Sequence, residues 1–212
     1  MAKKVVVIGG GLGGLSAAIR LAKSEYTVQL FEQQPSLGGK MNEFRQDGFR
    51  FDTGPSLLTM PDVIDDLFEY IGLNRHDYLE FVPIDPICRY FWSDGTTIDA
   101  TANASEMTLR LKALSEEDAA SYQLFSNYTK RIYDMTADIF VYSPLHEIRN
   151  LMNWRTFVKL LSIHRIDPFR TMDQGIRRFF QHKKVVQLFN RYATYNGSNP
   201  FQAPATLNII PH

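Results

Sequence analysis

The first apolar run, Lys4-Val5-Val6-Val7-Ile8, is β-branched and stops at glycine. A run of this length bounded by glycine predicts a buried parallel strand. Leu15, Ala18, Ile19 and Ala22 then recur at helical spacing up to Lys23, and Thr27-Val28-Gln29-Leu30-Phe31-Glu32 predicts a second strand. Strand, helix and strand within about thirty residues make a β-α-β unit. Residues 33–40 form a loop broken by Pro35, Gly38 and Gly39, and Phe49-Arg50-Phe51-Asp52 is a short strand ending at Gly54-Pro55. Pro61 opens a helix whose apolar face is Val63, Ile64, Leu67, Phe68 and Ile71, and Gly72 closes it.

Further on, Cys88-Arg89-Tyr90-Phe91-Trp92 and Thr96-Thr97-Ile98-Asp99 flank Ser93-Asp94-Gly95, a strong hairpin pattern. Ser115 with Asp118 resembles a capping box, with Asp in place of Glu, and opens a long helix running to about Phe140. From Pro144 onward the pattern is helical, with breaks at Pro168 and near Gly197. Trp154, Phe157, Val158 and Leu161 share one helical face there, with Arg155 and Lys159 off it.

Composition changes the picture in two ways. A hydrophobic fraction of 44% and a charged fraction of 22% over 212 residues exclude a disordered chain, a collagen-like repeat and a disulfide scaffold. The single Cys88 cannot form an internal disulfide, which suits a reducing compartment. No stretch is apolar enough to span a bilayer: the candidate at residues 5–19 contains five glycines. The net charge of zero hides an asymmetry. Residues 145–212 carry ten Lys and Arg against three acids, and residues 1–144 carry thirteen against twenty. Either the basic part meets an anionic partner, such as a membrane surface, or the two parts face each other.

Gly9, Gly11 and Gly14 fit G-x-G-x-x-G between a strand and a helix. The first glycine permits the tight turn, the second lets the backbone approach a pyrophosphate, and the third lets helix and strand pack closely. The helix N-terminus then offers unpaired N–H groups and a positive dipole end to the phosphates. Glu32 ends the second strand 23 positions after Gly9, where an acid can hold both ribose hydroxyls and would repel a 2′-phosphate.

Gly38-Gly39-Lys40 follows Glu32 after five residues, and Asp52-Thr53-Gly54-Pro55-Ser56 comes later. With these extensions the chain resembles flavoproteins of the amine oxidase and phytoene desaturase superfamily. In that group an acid, a short spacer, Gly-Gly and Arg or Lys place a cation near the FAD phosphates, and a later Gly-Pro meets the ribityl chain. The resemblance implies FAD as cofactor, held by Gly9, Gly11, Leu12, Gly13, Gly14, Glu32, Gly38, Gly39, Lys40, Gly54, Pro55 and Ser56. Residues 48–61, together with Tyr192-Ala193-Thr194-Tyr195-Asn196-Gly197-Ser198-Asn199-Pro200-Phe201 and Gln202-Ala203-Pro204-Ala205-Thr206, look like the carotenoid desaturase branch. They look closest to the 1-hydroxycarotenoid 3,4-desaturases.

The resemblance implies an α/β fold: a Rossmann-like FAD-binding domain over residues 1–80, and an inserted, helix-rich α+β substrate domain over residues 81–212. It also implies that the chain is the N-terminal fragment of a longer protein. The implied reaction removes two hydrogens from adjacent carbons of a carotenoid, with hydride passing to flavin and electrons onward to a quinone or oxygen. An enzyme on such a substrate is expected in the cytoplasm, docked on the inner face of the membrane. Residues 145–170 are the contact candidate, combining Leu145, Leu151, Met152, Trp154, Phe157, Leu160 and Leu161 with Arg149, Arg155, Lys159 and Arg165.

No side chain is forced to act as acid or base. His146, His164, His182 and His212 are candidates by type only, and Asp134 with Asp138 reads as a solvated helix face. No metal-ligand spacing is present, and the basic excess carries no nucleic-acid motif. Tyr90, Phe91, Trp92, Tyr142, Trp154, Phe157, Phe179, Phe180, Tyr192 and Tyr195 could line an apolar tunnel, though ordinary core is the stronger reading for any one of them. Two other readings stand beside desaturation. One is an amine oxidase-like or retinol saturase-like flavoprotein. The other is a non-redox prenyl-binding relative, like the GDP dissociation inhibitors of small GTPases, which lose the flavin pattern that this chain keeps.

Overall fold

The computed structural model describes residues 3–55, 57–140 and 166–211, with the side chains of 138–140 left aside. The chain divides into two compact units, Met1–Pro83 and Ile84–His212.

In the first unit, β1 (Lys4–Ile8) and β2 (Thr27–Phe31) pair in parallel, with Val5 opposite Val28 and Val7 opposite Leu30. Helix α1 (Leu12–Lys23) connects them as the periodicity predicts. The expectation of a buried first strand is corrected. Val5 and Val7 are half-buried, whereas Val6 is 56% exposed, Ile8 87% and Phe31 57%. With two strands and one helical layer, only one sheet face is covered within this unit. Helix α2 (Pro61–Ile71) starts at proline and ends at Gly72 in the left-handed conformation. It is tied to α1 by Lys23 Nζ on the Ile71 carbonyl at 2.9 Å and by the Arg20 guanidinium over the Tyr70 ring at 4.7 Å.

The strand expected at Phe49–Asp52 (β4) has a partner that the pattern reading missed, β3 (Glu43–Gln46). Asp47 and Gly48 both have positive φ, 52° and 83°, as a primed two-residue hairpin turn requires.

The second unit holds the core. Hairpin β5 (Cys88–Phe91) and β6 (Thr97–Ala100) forms around the Asp94-Gly95 turn. Helix α3 (Ala104–Lys112), absent from the pattern reading, is capped by Asn103 Oδ1, which accepts from Ser105 and Glu106 N–H, and it buries Met107 and Leu111. The long helix α4 runs Glu116–Phe140. Short helices α5 (Met172–Ile176) and α6 (Lys183–Asn190) follow, then 3-10 segments Arg191–Asn196, stopped by Gly197 at φ 67°, and Ala205–Ile209. Phe125 of α4 lies 5.0 Å from Phe180 and 4.7 Å from Phe189, and Ile132, Ile176, Val185 and Leu188 are buried in the same cluster. Phe180 is therefore core, as the bland reading of the aromatics expects, while Phe91 is 72% exposed. Tyr142, Trp154 and Phe157 lie outside the described residues.

The capping box expected at Ser115 is half made. Ser115 Oγ accepts from Asp118 N–H at 3.1 Å, but the Asp118 carboxylate turns inward. It is fully buried and accepts from the Gln181 and His182 backbone N–H groups, both at 2.8 Å. His182 is the N-cap of α6 and gives that helix no side-chain cap, so Asp118 caps it from a distant helix.

Candidate functional site

The glycine-rich turn is built from the backbone outward. Gly9 N–H bonds the Phe31 carbonyl at 2.8 Å, joining the end of β1 to the end of β2. Gly11 caps α1 without a side chain, and Leu15 N–H takes its carbonyl at 2.9 Å. A Cβ on Gly14 would collide with the Gly9 carbonyl oxygen, so α1 can start this close to β1 only with glycine at 14. The first turn of α1 carries no acid, and a Cβ built at Gly13 meets nothing within 4 Å. Leu12 is 51% exposed beside it. The helix end thus has no acid in its first turn and open space beside Gly13, which fits an anionic pyrophosphate.

Glu32 stands under this turn. Its Oε2 accepts from Gly10 N–H at 2.6 Å and its Oε1 from Gln34 N–H at 2.9 Å. Those bonds, Gln34 first and Gly10 second, hold its carboxyl below the ordinary glutamate range. A carboxylate has four lone-pair sites, and the backbone N–H groups of Gln34, Gly10 and Gln33 do not use them all, which leaves acceptor capacity for a hydroxyl donor. Sequence reasoning placed Glu32 here but missed Gly10, whose N–H locks it; the extra glycine at the first variable position of the motif was the available signal.

The loop after β2 closes on the same turn. Gly38 N–H bonds the Gly10 carbonyl at 2.8 Å, and Gly38 pairs with Gly11 as an isolated bridge. Gly39 has φ 62°, and a Cβ on it would lie 3.0 Å from the Gly11 Cα. Gly54 sits against the Lys40 carbonyl. The fold therefore brings Gly9, Gly11, Gly13, Gly14, Glu32, Gly38, Gly39, Lys40 and Gly54 to one end of the two-stranded sheet. Lys40 is exposed and joins no ion pair among the described residues. Pro55 is exposed beside Gly54, and Ser56 lies outside the described residues.

The other candidates separate from this cluster. Asp134 is exposed and paired with Lys130 at 2.9 Å, as a solvated face should be. His182 has its Nδ1 buried without a hydrogen-bond partner. His146, His164 and His212 lie outside the described residues, as does the bulk of the membrane-contact candidate, 145–165. Among the described residues no group of His, Cys, Asp and Glu could hold a metal ion.

Residues 7–71 match the NAD(P)-binding Rossmann-like domain family. Over 210 residues, 99% of this chain, 40% of positions are identical to 4,4'-diapolycopene oxygenase of a Methylomonas species. The corresponding figure for 1-hydroxycarotenoid 3,4-desaturase of a Flavobacterium species is 35%, and 4,4'-diaponeurosporene oxygenase of Staphylococcus aureus is 37% identical over the whole chain. The chain is a homologue of carotenoid desaturases and oxygenases. It spans 42–43% of the length of these relatives. Two solved structures of putrescine oxidase variants redesigned in cofactor binding share the fold of this chain, with TM-scores of 0.51 and 0.54 at 14% and 16% identity. Each is covered over 41% of its own length.

Proposed function

We propose that this chain belongs to an FAD-dependent oxidoreductase that modifies a carotenoid, with residues 1–80 holding the cofactor and residues 81–212 facing the substrate. The observation that carries this reading is an intact dinucleotide turn in a chain homologous throughout to carotenoid-modifying enzymes. Gly11, Gly13 and Gly14 let the pyrophosphate approach the α1 N-terminus, Glu32 takes the adenosine ribose hydroxyls, and the same carboxylate disfavours a 2′-phosphate. Gly38, Gly39 and Lys40 set a cation beside the phosphates, and Gly54, Pro55 and Ser56 meet the ribityl chain. When bound, the flavin would supply the hydride-accepting chemistry. The chain's own task is to orient a polyene and exclude water. No residue of it is assigned as acid or base.

The reaction reading follows the relatives. Desaturation by hydride removal, with electrons passed to a quinone or oxygen, matches the 1-hydroxycarotenoid 3,4-desaturase. The higher identity to the diapolycopene oxygenase favours oxygen insertion as the second reading. We propose that a bilayer-dissolved carotene is reached by surface docking, with the mixed apolar and basic stretch 145–170 as the contact. Among the described residues no helix is long and apolar enough to cross a membrane.

The deciding experiment is the absorbance spectrum of the full-length gene product, with the released chromophore identified. Released FAD is expected. A colourless protein that still binds a prenyl or polyene ligand would move the assignment to a non-redox carrier. Turnover of acyclic carotenes under labelled oxygen then separates loss of two hydrogens from gain of label.

A further inference from the structure

The second unit holds a cation without an anion. Arg191 opens the 3-10 segment after α6, and its guanidinium lies against three tyrosine rings, 5.3 Å from Tyr90, 5.3 Å from Tyr192 and 5.5 Å from Tyr195. Its Nε donates to the Tyr90 hydroxyl at 2.8 Å. Its Nη2 is buried and has no hydrogen-bond partner. Arg110, Arg170 and Arg177 of the same unit each pair with a carboxylate, and among the described residues Arg191 pairs with none. The ring faces offset part of the charge. They do not satisfy an orphaned N–H, which a buried donor normally requires.

The cage is also the end of an aromatic row. Tyr195 stacks on Tyr192 at 5.8 Å, Tyr192 on Phe189 at 6.4 Å, and Phe189 on Phe180 at 4.8 Å. Tyr195 is 44% exposed, so a ligand can approach from its side and reach Nη2 as that ring turns. Phe180 and Phe189 are buried and only back the cage; the tyrosine rings beside an unneutralised guanidinium suit the end of a conjugated chain that carries a carboxylate. The rings take the polyene face, and the planar fork takes both oxygens.

We propose that Arg191, with Tyr90, Tyr192 and Tyr195, forms a subsite for the carboxylate end of an elongated polyene. This rests on the carotenoid reading above, and its test separates the two. Full-length protein is titrated with crocetin, a polyene dicarboxylate, and with its dimethyl ester, following the quenching of Trp92, whose ring stacks on Tyr90 at 6.1 Å. Crocetin is expected to bind at least tenfold more tightly than the ester. Arg191→Gln should bring crocetin down to the ester's affinity and leave the ester unchanged, and Arg191→Lys should restore part of the difference. Equal wild-type affinities overturn the Arg191 subsite while polyene binding stands. No binding of either probe overturns both. The wild-type ratio decides the matter even if Arg191→Gln fails to fold.

Discussion

Replacing Asp118 by alanine removes a buried carboxylate that holds two backbone N–H groups more than sixty residues away. A hydrogen bond to a charged group contributes roughly 1.5–3 kcal/mol, and an orphaned buried donor costs about 1–3 kcal/mol. Gln181 is exposed and its N–H can recover water, so the lower half of that range applies there, while the His182 side is half-buried. Two bonds at the lower figure give about 3 kcal/mol of lost stability. For a protein of this size that is on the order of 6–12 °C in Tm. Trp92 is a suitable reporter, because its Nε1–H donates to Gln187 of α6 at 2.9 Å. Urea unfolding followed by tryptophan emission should show a lower midpoint for Asp118→Ala, with Asp118→Asn in between, since one amide oxygen can still accept. A loss under about 1 kcal/mol for Asp118→Ala would show that α6 does not depend on this cap.

Three further outcomes follow. Glu32→Ala should lower the FAD content of the purified full-length protein and expose the Gly10 and Gln34 amides to faster hydrogen exchange; unchanged flavin content would remove Glu32 from the cofactor site. Gly14→Ala should abolish flavin retention, because its methyl group must displace either α1 or the Gly9 carbonyl, and an FAD-replete variant would refute that packing. The Lys184 ammonium, with the Thr96 groups second, holds the Asp94 carboxyl down at about 2 from an ordinary 3.8. A lowered folded value means the contribution is complete above about pH 4 and disappears as pH falls through 2. An NMR titration of Asp94 with its midpoint near 4 would contradict the pairing.

The cofactor end was legible because its chemistry is local. A strand, a glycine turn, a helix and an acid must follow one another within a few dozen residues, and each leaves a residue type at a fixed offset. Strand β3 escaped because Glu43-Phe44-Arg45-Gln46 offers one apolar residue and no alternation, although Asp47-Gly48 carried the same turn signal used at Asp94-Gly95. Helix α3 escaped because only Met107 and Leu111 mark its buried face. Its capping Asn103 with Glu106 three residues on was the readable trace. The role of Asp118 could not be read from spacing, since its partners lie more than sixty residues on, in the turn that leads into α6. The exposure of Val6 and Ile8 is likewise a property of how many layers pack, which no single strand encodes.

The contact between Gly11 and Gly39 makes two separated stretches one unit of inheritance. A side chain at 39 must find its space against the Gly11 backbone, so what is tolerated at 39 depends on where the turn at 11 lies. Anyone assembling chimeras from related enzymes should therefore avoid a crossover between residues 14 and 38. A junction before residue 9 or after residue 54 carries the turn, its acid and its closing loop together, and keeps a matched pair of surfaces from a single parent.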